Sequence, residues 1–251
     1  MKIALLLLLL LTIFGPLMIL ARGDMDFSLH YQTADRSSTH LAPDPKTNPQ
    51  AIIQIYAARA FNWRGLVSVH TWIATKAENA KDYTVYQVIG WLAFRGLPPL
   101  NIHQDIPDRS WFGQKPEVIL DLRGPEAQKL IPKIQSAAEK YPYADRYDTW
   151  PGPNSNTFPA FVAREIPELK LVMPANAIGK DFLPNHQFFA RAPSGTGYQF
   201  SVFGLFGILI ARSEGLEINL LGLVYGFNPL TLTLKLPGLG DLSLRRYHST
   251  P

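Results

Sequence analysis

Three polar side chains stand where acyl-transfer or hydrolytic chemistry could be done: His70, Gln87 and Ser155. His70 falls in residues 66–75, which alternate as a strand does, with Leu66, Ser68, His70 and Trp72 on one face. Gln87 falls in residues 83–91, rich in β-branched and aromatic side chains, which reads as the next strand. Ser155 lies in the run Trp150-Pro-Gly-Pro-Asn-Ser-Asn-Thr-Phe158, a rigid turn leading into a short helix over 159–165. A nucleophile at a helix start meets the positive end of the macrodipole and free backbone amides suited to an oxyanion. A histidine on a neighbouring strand can take its proton, and a polar group on the strand beyond can orient the imidazole. Trp72, Asn154, Asn156 and Thr157 flank the pair and are the candidate ligand-binding residues.

A helix N-terminus offers at most about 2 kcal/mol, roughly 1.5 pKa units. That ionises much of a thiol starting near about 8.5, but not an alcohol that starts near the pKa of water, about 15.7. Ser155 therefore needs His70 in direct hydrogen-bond reach to attack anything. Three readings stand side by side: His70 serves Ser155 as a base; the pair is a ligand-binding relic of such a site; or His70 is a core histidine while Ser155 and Asn156 cap the helix.

The rest of the sequence narrows the chemistry. There is no cysteine, so disulfides, thiolate metal sites and cysteine nucleophiles are excluded. No cofactor motif is present: Pro193-Ser-Gly-Thr-Gly197 lacks the lysine and helix of a phosphate loop. His103, Asp105 and Asp108 have spacings a metal could use, but in a proline-rich loop they read as solvated, so no metal is assigned. Glu214 and Glu217 read as flanking a solvent-facing loop, and Lys180-Asp181 as a turn closed by a local ion pair. Net charge is +4 with Lys and Arg scattered singly, which does not make a nucleic-acid stripe and suits a protein beside an anionic membrane.

The elements that must position these residues are legible in outline. Residues 1–21 hold an uncharged, leucine-dominated run after Lys2, close to spanning a hydrocarbon core of about 30 Å. A cleaved signal peptide would want a small residue where Ile19 stands, so an uncleaved single-pass anchor is the reading, with the body outside the inner membrane in the periplasm. Residues 22–49, with Asp24, Asp26, Asp35 and Pro43, Pro45 and Pro49, read as a linker. Residues 50–251 then form one α+β domain: strands over 51–59, 66–75 and 83–91 as an antiparallel meander, a loop over 95–116, a helix over 126–141, and three or four glycine-punctuated strands after 195.

Two resemblances follow. Val69-His-Thr-Trp-Ile73 and Asn154-Ser-Asn-Thr-Phe158 resemble the two motifs of the circularly permuted papain-like group, which includes lecithin:retinol acyltransferase-like enzymes and relatives of cell-wall peptidases. In that group an Asn-Cys-x-x-Phe motif opens the helix, so the resemblance sets Ser155 on the nucleophile position, His70 on the histidine and Gln87 roughly on the third polar residue. It implies a permuted papain-like fold and an envelope peptide or lipid as ligand. The serine is a departure that puts the activity in doubt. More extensive strings, among them Gln54-Ile-Tyr-Ala-Ala-Arg59, Trp150-Pro-Gly-Pro-Asn-Ser-Asn-Thr-Phe158 and Ala177-Ile-Gly-Lys-Asp181, resemble a bacterial family known only as a domain of unknown function, whose members often carry an N-terminal membrane segment. The expectation is a membrane-tethered, non-catalytic binding or scaffold domain, with a serine-dependent hydrolase or acyltransferase as the alternative.

Overall fold

A computed structural model of the chain describes residues 2–243. Residues 244–251, the end of the expected 50–251 domain, lie outside the described residues, as does Met1. Two antiparallel sheets make up the body. The first has the order β4-β3-β2-β1-β5, built from β1 (Ile52–Arg59), β2 (Val69–Lys76), β3 (Thr84–Val88), β4 (Leu100–Gln104) and β5 (Glu117–Arg123). The expected meander is its centre, and β4 and β5 extend it through residues that sequence pattern assigns to loop or leaves unassigned.

β1 is buried along nearly its whole length because both faces of this sheet are covered. Ile53, Ile55 and Ala57 pack with Leu130 and Ile134 of helix α3 (Pro125–Glu139) and with Phe158 and Val162 of helix α4 (Thr157–Glu165). Pro125 opens α3, where its missing amide costs nothing, and Ala127, Leu130, Ile134 and Ala138 recur at helical spacing to make the buried stripe. On the other face, Ile52, Tyr56, Trp72 and Val85 pack against Leu41, Ala42 and Trp111. Residues 38–43 are thus laid on the body rather than hanging free. Asp108 fastens them by accepting from Ser38 Oγ (2.8 Å) and from the amides of Leu41 and Ala42 (2.6 and 3.1 Å).

The second sheet runs β12-β11-β10-β9-β8-β7-β6. Its strands are β6 (Phe189–Arg191), β7 (Gly197–Val202), β8 (Phe206–Ala211), β9 (Gly215–Leu220), β10 (Leu223–Asn228), β11 (Thr233–Leu236) and β12 (Gly240–Ser243). Among the described residues six strands, β7 to β12, therefore stand after residue 195, where three or four are expected. The glycine punctuation marks tight hairpins, not gaps between longer segments.

The apolar N-terminal run is helix α1 (Lys2–Arg22). Gly15 lets it approach the body: a methyl group there would overlap the Pro237 carbonyl. Ile19 is buried beside it, and Thr12 Oγ1 meets Tyr225 Oη at 2.5 Å. Among the described residues no helix is long and apolar enough to cross a membrane. The α+β class is as expected, with antiparallel sheets and few helices.

Candidate functional site

His70 and Ser155 share one cleft of about 910 Å³. β2 brings His70 to its wall opposite Ala58 of β1, and the turn before α4 brings Ser155. A short helix, α2 (Gly90–Ala93), and the loop carrying Trp111 supply the rest of the wall.

The turn is organised by Asn154. Its Oδ1 accepts from the amides of Asn156 (3.0 Å) and Thr157 (3.3 Å), and its amide donates to Thr157 Oγ1 (3.0 Å). The capping expected of Ser155 and Asn156 is therefore done by Asn154. Gly179 is pressed against Asn154 in a positive-φ conformation, and any β-carbon there would collide with the amide. Asn156 bridges instead: its Nδ2 donates to the carbonyls of Val69 (2.9 Å) and Ile178 (2.8 Å), and its Oδ1 accepts from Thr71 Oγ1 (3.0 Å). Thr157 Oγ1 donates to the Gly179 carbonyl (2.9 Å). The polar groups of Asn154, Asn156 and Thr157 are thus spent on the fold. Trp72 is buried beneath the cleft wall with its Nε1 donating to the Pro107 carbonyl (2.8 Å).

Ser155 is left over. Among the described residues its hydroxyl has no hydrogen-bond partner, and no hydrogen bond joins it to His70. His70 is buried, and its ring stacks on Trp111 with centroids 3.6 Å apart and planes 5° from parallel. Burial pushes its pKa down to about 3, opposed by a hydrogen bond with the Gln87 side chain. Its Nε2 is buried with no partner within hydrogen-bond distance. The Gln87 side chain thus stands near the imidazole.

This arrangement handicaps a nucleophilic serine on two counts. An imidazole held near 3 is a weaker base than an ordinary one by about 5 kcal/mol. The two amides that would start an oxyanion hole are already taken by Asn154.

What the cleft offers in quantity is aromatic surface and unpaired positive charge. Trp63, Trp91, Phe94, Trp111, Phe112 and Trp150 line it. Trp91 stacks on Trp111 at 5.6 Å, and Phe94 is 81% exposed at the mouth. Arg36, Arg64 and Arg95 line it too, and among the described residues none has a carboxylate partner. Arg36 lies over the Phe112 ring at 4.5 Å and Arg64 over Trp63 at 5.0 Å. These residues escape a search for catalytic pairs. Their signal is compositional: Trp91 and Phe94 precede the stretch read as a solvated loop, and Trp111 and Phe112 stand within it, more aromatic surface than such a loop would hold.

The other charged clusters resolve differently. His103 pairs with Asp105 (3.1 Å) at the surface while Asp108 turns inward to residues 38–42, so the three do not converge. Among the described residues no three His, Asp or Glu side chains gather where a metal could be held. Glu214 and Glu217 are buried, correcting the solvent-facing reading. Glu217 accepts from Lys180 Nζ and Lys235 Nζ, both at 2.6 Å, and Lys180 also reaches Asp181 at 3.0 Å.

A family model described as "Protein of unknown function (DUF3750)" matches residues 50–182, just over half of the chain. It spans the first sheet, α3, α4 and the His70 and Ser155 positions. No curated protein and no solved structure matches the chain.

Proposed function

The chain belongs to the DUF3750 family, and from that premise we propose that its cleft binds an anionic amphiphile at a membrane, without catalysing a reaction on it. One observation carries the reading: a cleft of about 910 Å³ walled by tryptophan and phenylalanine and edged by three arginines that lack a carboxylate partner among the described residues. Apolar walls suit an acyl chain, and guanidinium groups suit a phosphate or carboxylate headgroup. His70 belongs to the cleft wall, with its Nε2 buried and unpaired. Left unpaired it costs about 1–3 kcal/mol. On this reading α1 attaches the chain to the membrane and the body lies on the periplasmic face of the inner membrane. A papain-like ancestry would account for His70 and Ser155 lining one cleft.

The test is a titration with dihexanoylphosphatidylglycerol, monomeric in solution, followed by tryptophan fluorescence of the chain in detergent. Saturable quenching is expected, with the phosphatidylcholine analogue binding more weakly. Arg64→Ala should weaken the anionic lipid about tenfold, equivalent to 1.4 kcal/mol, and the zwitterionic one much less. Phe94→Ala, at an exposed position, should weaken both. No saturable response, or one indifferent to Arg64 and Phe94, would sink the proposal.

The serine-hydrolase reading keeps one observation in its favour, the unengaged Ser155 hydroxyl in the same cleft as His70. A fluorophosphonate probe separates the two. Binding without catalysis predicts no adduct on Ser155 and normal lipid affinity in Ser155→Ala, whereas a stoichiometric adduct lost in Ser155→Ala would establish the enzyme.

A further inference from the structure

The second sheet is inside out. In an antiparallel sheet with one covered face, the apolar residues turn inward and the polar ones meet water. Here Gln199, Ser201, Glu217, Asn219, Thr233 and Lys235 are buried on the inner face. The outer face carries Phe200, Ile208, Ile210, Ile218, Phe227 and Leu234, all exposed. The pairing register makes this systematic. Phe200 stands opposite Ile208, Ile208 opposite Ile218, and Phe227 opposite Leu234, so apolar side chains run unbroken across β7 to β11. Ile210 is 65% exposed, and no charged residue interrupts the outward positions of these five strands. A contiguous face of this kind is foreign to water and marks a surface that is covered.

We propose that this face rests in the hydrocarbon layer of a lipid bilayer, together with α1. The two surfaces join: Tyr225, opposite Ile218 on the outer face, contacts Thr12 of α1 through its hydroxyl. On α1 the body-facing stripe is narrow, with Gly15 and Ile19 buried, while Leu6, Leu7, Leu11, Phe14 and Leu17 are exposed around the remainder. A flat protein partner covers one stripe of a helix, but lipid wraps the rest of it, and a helix apolar over most of its circumference calls for the latter. At one end of the sheet Arg191 and Arg212 are exposed, and among the described residues neither has a carboxylate partner, which suits an anionic headgroup layer. This extends the membrane attachment proposed through α1 and is independent of what the cleft binds.

The chain has no cysteine, so a single introduced one takes a unique label. The experiment is electron paramagnetic resonance of the full chain in phosphatidylcholine–phosphatidylglycerol vesicles, with a nitroxide at Ile208→Cys, Ile218→Cys, Leu17→Cys on α1, or Glu117→Cys on the exposed edge of the first sheet. Lipid contact raises collisions with oxygen and lowers those with a water-soluble nickel complex. The oxygen-to-nickel ratio is expected to be severalfold higher at 208, 218 and 17 than at 117. A water-like ratio at 208 and 218 beside a lipid-like ratio at 17 overturns the sheet proposal and leaves α1 as the attachment. Water-like ratios at all positions overturn both. Low collision with both reagents at 208 and 218, with broadening between labels, assigns the face to a second copy of the chain and also overturns it.

Discussion

Between pH 7 and pH 5 the folded chain is expected to lose about 2 kcal/mol of stability through His70 alone. The cause is burial. Its imidazole is held near 3 in the folded state and stacked on Trp111, while in the unfolded chain it titrates near the ordinary 6.5. The sign follows from proton counting. Below the unfolded pKa the unfolded chain takes up a proton that the folded chain refuses, so acid favours unfolding. The contribution is complete above about 6.5 and is lost as the pH falls toward 3, at up to about 1.4 kcal/mol per pH unit. Urea unfolding at a series of pH values measures it. His70→Gln removes the titration, so the variant should show a flatter slope between pH 7 and pH 5 whatever its absolute stability. Parallel slopes in the two proteins would mean that water reaches the imidazole and that the cleft wall is not closed over it. The same result would weaken the case against catalysis, because a hydrated His70 would regain its strength as a base.

His70 and Ser155 also mark how far the sequence could be read. That they share a cleft was legible from two local patterns, a period-2 strand and a Pro-Gly-Pro turn before a helix. The division of labour within the turn was not. Asn154, Ser155, Asn156 and Thr157 are all competent caps by residue type, and only the backbone path decides that Asn154 Oδ1 receives the amides. The meander β1–β2–β3 was legible because its strands are rich in β-branched and aromatic residues. β4, whose sequence Leu100-Asn-Ile-His-Gln104 is half polar and follows two prolines, reads as loop because an edge strand needs no second apolar face. The second sheet was undercounted for another reason. Phe206-Gly-Ile-Leu-Ile-Ala211 reads as one continuous apolar run, since its inward positions, Leu209 and Ala211, happen to be apolar like its outward ones. Glu217 reads as exposed because its partners, Lys180 and Lys235, lie 37 and 18 residues away, beyond the reach of local pattern.

Replacing Glu217 by glutamine should cost about 3–5 kcal/mol, more than any exposed substitution in the chain. Burial alone would push this carboxyl up, but Lys180 and Lys235 on either side overcome it and hold it below the ordinary carboxylate range. The same partnership holds Lys180 above the ordinary lysine range despite its burial, with Asp181 contributing first and Glu217 second. Glutamine fills the same space but removes the charge, so Lys180 keeps only Asp181 and Lys235 keeps only Asp241, at 3.6 Å and partly exposed. Removing Lys235 as well, in Glu217→Gln/Lys235→Met, takes away the stranded cation, so the double variant is expected to be no less stable than Glu217→Gln alone. Acid should act in the same direction as the substitution. A depressed carboxyl contributes stability above its unfolded pKa of about 4.5 and loses it as the pH falls further, so Glu217→Gln should flatten the stability profile below about 4.5 and leave the His70 slope above it unchanged. Lys180 and Asp181 close the stretch that the family model matches, and Glu217 and Lys235 belong to the sheet beyond it. If the charges tie the two together, urea should unfold both in a single transition, and Glu217→Gln should move its midpoint without splitting it. A midpoint within about 0.5 kcal/mol of the parent would show that the network is solvated and that apolar packing alone joins the two sheets.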